Sequence, residues 1–85
     1  MPEISRFYGI IITMNYNEHN PPHFHAIYQG YEISIEINTG LVKGTMPKRA
    51  LKMIFEWLDI HKDELLEDWQ LAQDRKSLLK IAPLV

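Results

Sequence analysis

From Phe7 to about Met46, apolar and polar positions alternate with a period near two and are rich in β-branched and aromatic residues; from Pro47 onward the period becomes helical. That single change predicts an α+β chain, an antiparallel β-meander of about four strands followed by two α-helices packed on one face. The first strand runs from Ile10 to about Tyr16, with Ile10, Ile12 and Met14 alternating with Ile11, Thr13 and Asn15. His23 to Tyr28 forms the second and Tyr31 to Asn38 the third, joined by Gln29-Gly30 as a two-residue hairpin. Thr39-Gly40 reads as another tight turn, leading into a fourth strand from Leu41 to Met46.

Pro47 suits the first position of a helix, with Leu51, Ile54, Phe55 and Leu58 on one stripe and Lys48, Arg49, Lys52, Glu56 and Asp59 opposite. Asp63 is a candidate N-cap for a second helix, whose stripe is Leu65, Leu66, Trp69 and Ala72. Lys80 to Leu84 reads as a short C-terminal edge strand, limited by Pro83. At 85 residues the chain is expected to be one domain, with a meander over 1–46, a helical part over 47–75 and an edge segment over 76–85.

Turn length sets register. With Gln29-Gly30 as the loop, Tyr28 faces Tyr31, Ala26 faces Ile33 and Phe24 faces Ile35, which makes one apolar face. The opposite face pairs Ile27 with Glu32, His25 with Ser34 and His23 with Glu36. A two-residue Thr39-Gly40 loop would then set Ile37 against Val42, Glu36 against Lys43 and Ser34 against Thr45. Matching Ile12 and Met14 to Ala26 and Phe24 completes two polar rows: Asn15, His23, Glu36, Lys43, and Thr13, His25, Ser34, Thr45.

With 46% hydrophobic and 24% charged residues, the composition is that of an ordinary globular protein. The chain has no cysteine, which excludes disulfides and thiolate metal sites. Its N-terminal residues lack the apolar core of a secretory signal and no run is long enough to span a bilayer, so the expected setting is cytoplasmic, without a membrane. A formal charge of -2 argues against a dedicated duplex-DNA binder, while a local basic patch could still hold RNA.

Three of the four histidines fall within Glu18-His19-Asn20-Pro21-Pro22-His23-Phe24-His25. His-x-His on a strand puts two imidazoles on one face about 7 Å apart, close enough to share an ion, and His19 could supply a third ligand from the loop. His19, His23 and His25 are therefore the candidate ligands of a divalent metal such as zinc. The plainer alternative is a polar sheet face whose histidines bond to Glu36 and the loop backbone. In a catalytic reading, His23 and His25 act as general base and acid or as metal ligands. Lys43, helped by Arg49, then steadies a phosphate and Glu36 fixes a histidine tautomer. Trp57, Trp69 and Phe55 read as core, and His61 as a charge complement at the end of its helix.

The opening Pro2 to Ile10, the central His19-Asn20-Pro21-Pro22-His23-Phe24-His25-Ala26, Thr39-Gly40 followed by Gly44-x-Met46-Pro47, Trp57 and Glu64-Leu65-x-x-x-Trp69 resemble a family of small bacterial proteins known as domain of unknown function 4160. That resemblance covers nearly the whole chain and implies no established activity. It does imply a bacterial, cytoplasmic setting and a second small protein encoded nearby, in an arrangement similar to a toxin–antitoxin pair. His-Phe-His also looks like a fragment of the histidine triad of nucleotide hydrolases, but Ala26 and Tyr28 break its alternation. Three functions follow as expectations: a partner-binding component of a two-gene module, with the histidine face as its surface; a small histidine-dependent or metal-dependent nuclease or phosphoesterase; and a structural domain that forms a homo-oligomer through a sheet edge or the aromatic helix face.

Overall fold

The computed structural model describes residues 2–85 and consists of five antiparallel strands in sequence order, followed by one long helix: β1 (Glu3–Phe7), β2 (Ile10–Thr13), β3 (His23–Tyr28), β4 (Tyr31–Glu36), β5 (Val42–Gly44) and α1 (Lys48–Gln73). The meander has five strands rather than four because Glu3–Phe7 pairs with Ile10–Thr13 through the turn Tyr8-Gly9. Tyr8 and Gly9 have φ of 50° and 81°, and Gln29 and Gly30 have 48° and 85°, so both hairpins use a loop with two left-handed residues. A bulge between Glu3 and Ser5 brings both Ile4 and Phe7 into the core, three positions apart, and so erases the period of two that would mark a strand.

The central hairpin has the register its turn dictates, with Tyr28 opposite Tyr31, Ala26 opposite Ile33, Phe24 opposite Ile35, His25 opposite Ser34 and His23 opposite Glu36. Ile12 lies opposite Ala26 and Thr13 opposite His25; the strand stops at Thr13, short of Tyr16. The last hairpin differs from expectation. Glu36 and Leu41 close its loop, with Glu36 N–H donating to the Leu41 carbonyl at 2.9 Å and Gly40 N–H donating to the Glu36 carbonyl at 2.9 Å. Four residues, not two, therefore make the turn. The register moves by two, which keeps every side chain on its expected face but sets Ser34, rather than Glu36, opposite Lys43. Strand β5 ends at Gly44, where φ is +110° and a Cβ would stand 2.8 Å from the Glu32 carbonyl.

The expected pair of helices is one helix. Its buried positions are Ala50, Ile54, Trp57 and Leu58, then Leu65, Asp68, Trp69 and Ala72, with none from Asp59 to Glu64, and the chain runs on as helix through that gap instead of reversing. Only His61 leaves helical geometry, at φ -113° and ψ 21°. Straight, 26 residues would reach about 39 Å at 1.5 Å each, beyond the 33 Å longest dimension of the molecule. The break at His61 lets the helix follow the sheet, and Asp63 lies in its second arm instead of capping a new helix. His61 Nδ1 meets Glu64 Oε1 at 2.6 Å, an exposed contact.

The first arm covers the apolar face. Trp57 packs on Phe7 and Phe24 at centroid distances of 5.4 and 5.8 Å, above a floor of Ile10, Ile12, Ile33 and Ile35. Residues 76–85 take no strand conformation: Ile81 N–H donates to the Ile4 carbonyl at 2.8 Å, and the Trp57 indole N–H donates to the Ala82 carbonyl. The tail thus lies beside β1 without forming a ladder, as Pro83 demands. Among the described residues, no helix is long and apolar enough to cross a membrane.

Candidate functional site

Alternation along β3 buries Phe24 and turns His23 and His25 to the opposite side, half-buried, with ring centroids 5.3 Å apart. The loop between β2 and β3 folds back over them and delivers Glu18. Asn15 Nδ2 donates to Glu18 Oε1 at 2.9 Å, and Gln73 Nε2 on α1 donates to the Glu18 carbonyl at 2.9 Å. Trp69, one turn before Gln73, packs against the His23 ring at 5.2 Å. Sheet, loop and second helix arm therefore converge on one point.

Glu18, His23 and His25 each present a donor atom there, all within 4.8 Å of one another. Glu18 Oε1 is 3.6 Å from His25 Nε2, and Glu18 Oε2 is 3.9 Å from His23 Nε2. The proton positions decide what this means. His23 Nδ1 lies 2.9 Å from the Pro21 carbonyl, which can only accept, so Nδ1 carries a proton and Nε2 is the ring nitrogen that faces the carboxylate. His25 Nε2 is buried without a hydrogen-bond partner among the described residues.

Direct imidazolium–carboxylate hydrogen bonds would measure about 2.7–2.9 Å, well short of both distances. Four-coordinate zinc, with bonds of about 2.0–2.2 Å, holds its donors roughly 3.3 Å apart; the two imidazole–carboxylate contacts, made to different oxygens of Glu18, come within about 0.6 Å of that spacing, and one donor atom from each residue falls within 4.8 Å of the others. Two imidazoles and one carboxylate suit a borderline transition ion better than magnesium, which prefers oxygen alone. The Glu18 carboxyl is held below its ordinary range, first by the Asn15 amide and then by the charge of His23 and His25, against its partial burial. It is thus ionised and ready to ligate at neutral pH. A further buried polar group, the Thr13 hydroxyl, belongs to the residue opposite His25 and has no partner among the described residues.

The other residues singled out by sequence surround this point. His19 is exposed on the rim of a cleft of about 210 Å³ that also includes Glu18, His23, Ser34, Glu36 and Lys43. Glu36 lies opposite His23, yet its carboxylate accepts from the Thr39 hydroxyl at 2.9 Å, and the Pro21 carbonyl fixes the His23 tautomer in its place. Lys43 sits on the far wall, across from Ser34, and has no ion-pair partner among the described residues. Arg49 is turned away, donating to the Tyr28 hydroxyl at 3.2 Å.

Sequence reasoning missed Glu18 as a donor, although it begins the histidine stretch, because only the path of the loop brings it over the rings. It also missed Gln73 and the second role of Trp69.

The model of the family described as Domain of unknown function (DUF4160) matches residues 9–70, and the chain belongs to that family. The matched span includes all three donors and Trp69. No curated protein and no solved structure matches the chain.

Proposed function

We propose that this member of a family of unknown function binds a divalent transition-metal ion, zinc in the first instance, through Glu18 Oε, His23 Nε2 and His25 Nε2. The observation that carries the reading is the pair of imidazole nitrogens aimed at a carboxylate from distances too long for hydrogen bonds and suited to a shared ion. Asn15, Pro21 and Trp69 hold these donors from outside, as partners behind metal ligands do. Three protein donors leave a fourth position open toward the cleft, and a metal there would polarise a bound water or an oxygen of a substrate. The nuclease or phosphoesterase alternative is a form of this reading.

Thermal melts with zinc and with chelator at about pH 5.5 and pH 8 test it. Zinc at 100 times its Kd adds about 2.7 kcal/mol and should raise Tm by roughly 10–20 °C. Imidazoles must lose protons to ligate, so the rise should be larger at pH 8, and His25→Ala and Glu18→Gln should each abolish it. No response to zinc in the wild type at either pH would sink the proposal.

A partner-binding role in a two-gene module is the second reading. It is favoured by β5, which among the described residues pairs only with β4, and by the exposed Leu41 beside it on the cleft rim. Co-expression with the neighbouring reading frame should give co-elution in size-exclusion chromatography; separate elution at micromolar concentration counts against it.

A further inference from the structure

The cleft continues past the three donors, and its far wall is of a different character. Thr13, His25, Ser34 and Lys43 form one row across four adjacent strands. Strands lie about 4.8 Å apart, so the Lys43 backbone is roughly 10 Å from that of His25, and its side chain can reach most of the way back. Lys43 makes no ion pair among the described residues, although a carboxylate, Glu36, lines the same cleft. The Thr39 hydroxyl holds that carboxylate instead. The cleft between the donors and Lys43 is small, about 210 Å³. That suits a phosphoryl group with a small substituent and is far too little for a duplex.

Resting on the metal reading, we propose that the cleft binds the phosphoryl group of a small phosphate monoester, one oxygen directed to the ion at Glu18, His23 and His25 and another to Lys43 Nζ, with the Ser34 side of the wall between them. Charge favours a dianion at this end. An ion of charge two beside one ligating carboxylate leaves a net positive centre, and Lys43 adds a second. Glu36 opposes them from the β4–β5 loop side, which gives the proposal two effects of opposite sign. A phosphodiester strand would need a basic track, and a chain of formal charge -2 offers little support for one.

Calorimetric titration of the zinc-loaded protein with phenyl phosphate and with inorganic phosphate tests this. The wild type should bind both, and chelator should abolish binding. Lys43→Gln should weaken phenyl phosphate at least about tenfold while leaving zinc affinity unchanged, as the loss of one charge-assisted contact requires. Glu36→Gln should tighten it severalfold. Lys43 is exposed, and circular dichroism checks that each variant folds. Zinc uptake with no phosphate binding, or equal binding by Lys43→Gln, overturns this proposal and leaves the metal reading intact. Absence of zinc uptake overturns both.

Discussion

The two tryptophans of α1 are both buried, yet they do different work. Trp57, in the first arm, packs on Phe7 and Phe24, and its indole N–H is capped by the Ala82 carbonyl at 2.8 Å. Trp69, in the second arm, packs on His23, and Gln73 one turn later holds the Glu18 carbonyl. One amphipathic stripe thus runs over two surfaces, first the core of the sheet and then the loop that carries a candidate ligand. Burial alone does not distinguish a core residue from one that supports a site; what it is buried against does.

The largest effect expected from breaking this comparison is at Trp57. Trp57→Ala should cost about 3–5 kcal/mol, a large share of the stability of a domain this small, and urea denaturation reads it. Trp57→Phe keeps part of the contact with Phe7 and Phe24, loses the bond to Ala82 and leaves a small cavity, and should bind zinc as the wild type does.

Trp69→Leu should cost less stability, about 1–3 kcal/mol, but should weaken zinc about 10–100-fold, because the His23 ring loses its wall. Competition with a colorimetric chelator measures that affinity. If Trp57→Phe weakened zinc as much as Trp69→Leu does, the division between a core arm and a site arm would be wrong.

The strand side of the site was legible in the sequence, whereas the division between the two arms was not. The period of two in His23 to Tyr28 and the Gln29-Gly30 turn were enough to place His23 and His25 together, opposite the buried Phe24, and to set them against Glu36 and Ser34. What could not be read depends on backbone events that leave no periodic trace. The bulge before Ser5 hid β1, although Tyr8-Gly9 has the same turn chemistry as Gln29-Gly30. The four-residue loop ending at Gly40 moved Lys43 by one pair without changing its face, and alternation cannot detect a slip of two. The long β2–β3 loop brought Glu18 rather than His19 beside His23 and His25, because a loop's path is set by its anchors, here Asn15 and Gln73. At His61 a single residue leaves helical geometry inside a stretch with no buried residue from Asp59 to Glu64, so a bend resembled an end.

The smallest expected effect separates the two arms by pH. The buried residues of the first arm, Ala50, Ile54, Trp57 and Leu58, are apolar, whereas the second arm buries Asp68 beside Trp69. Asp68 Oδ1 accepts the Leu79 N–H at 2.9 Å, which ties the tail to the helix, and Oδ2 has no hydrogen-bond partner among the described residues. Burial pushes its carboxyl above the ordinary value, against the Leu79 hydrogen bond, and Glu67 and Glu64 push the same way as burial. The neighbouring cation on the tail, Lys80, is turned to the Glu3 carbonyl at 2.7 Å. With a folded pKa above the unfolded value of about 3.9, the native state holds more protons than the unfolded chain between the two values. Stability due to this group is therefore greatest below about pH 4 and is lost as pH rises through the folded pKa. Asp68→Asn keeps the acceptor for Leu79 and cannot ionise, and a buried neutral amide costs less than a buried carboxylate. It should remove that slope and leave the variant more stable than the wild type at pH 7 by on the order of 1 kcal/mol. Urea melts of both proteins at pH 4, 5, 6 and 7 measure the difference. A gap that stays constant across the series, or a variant less stable at pH 7 than at pH 4 relative to the wild type, would show that burial does not raise the Asp68 carboxyl above its ordinary value.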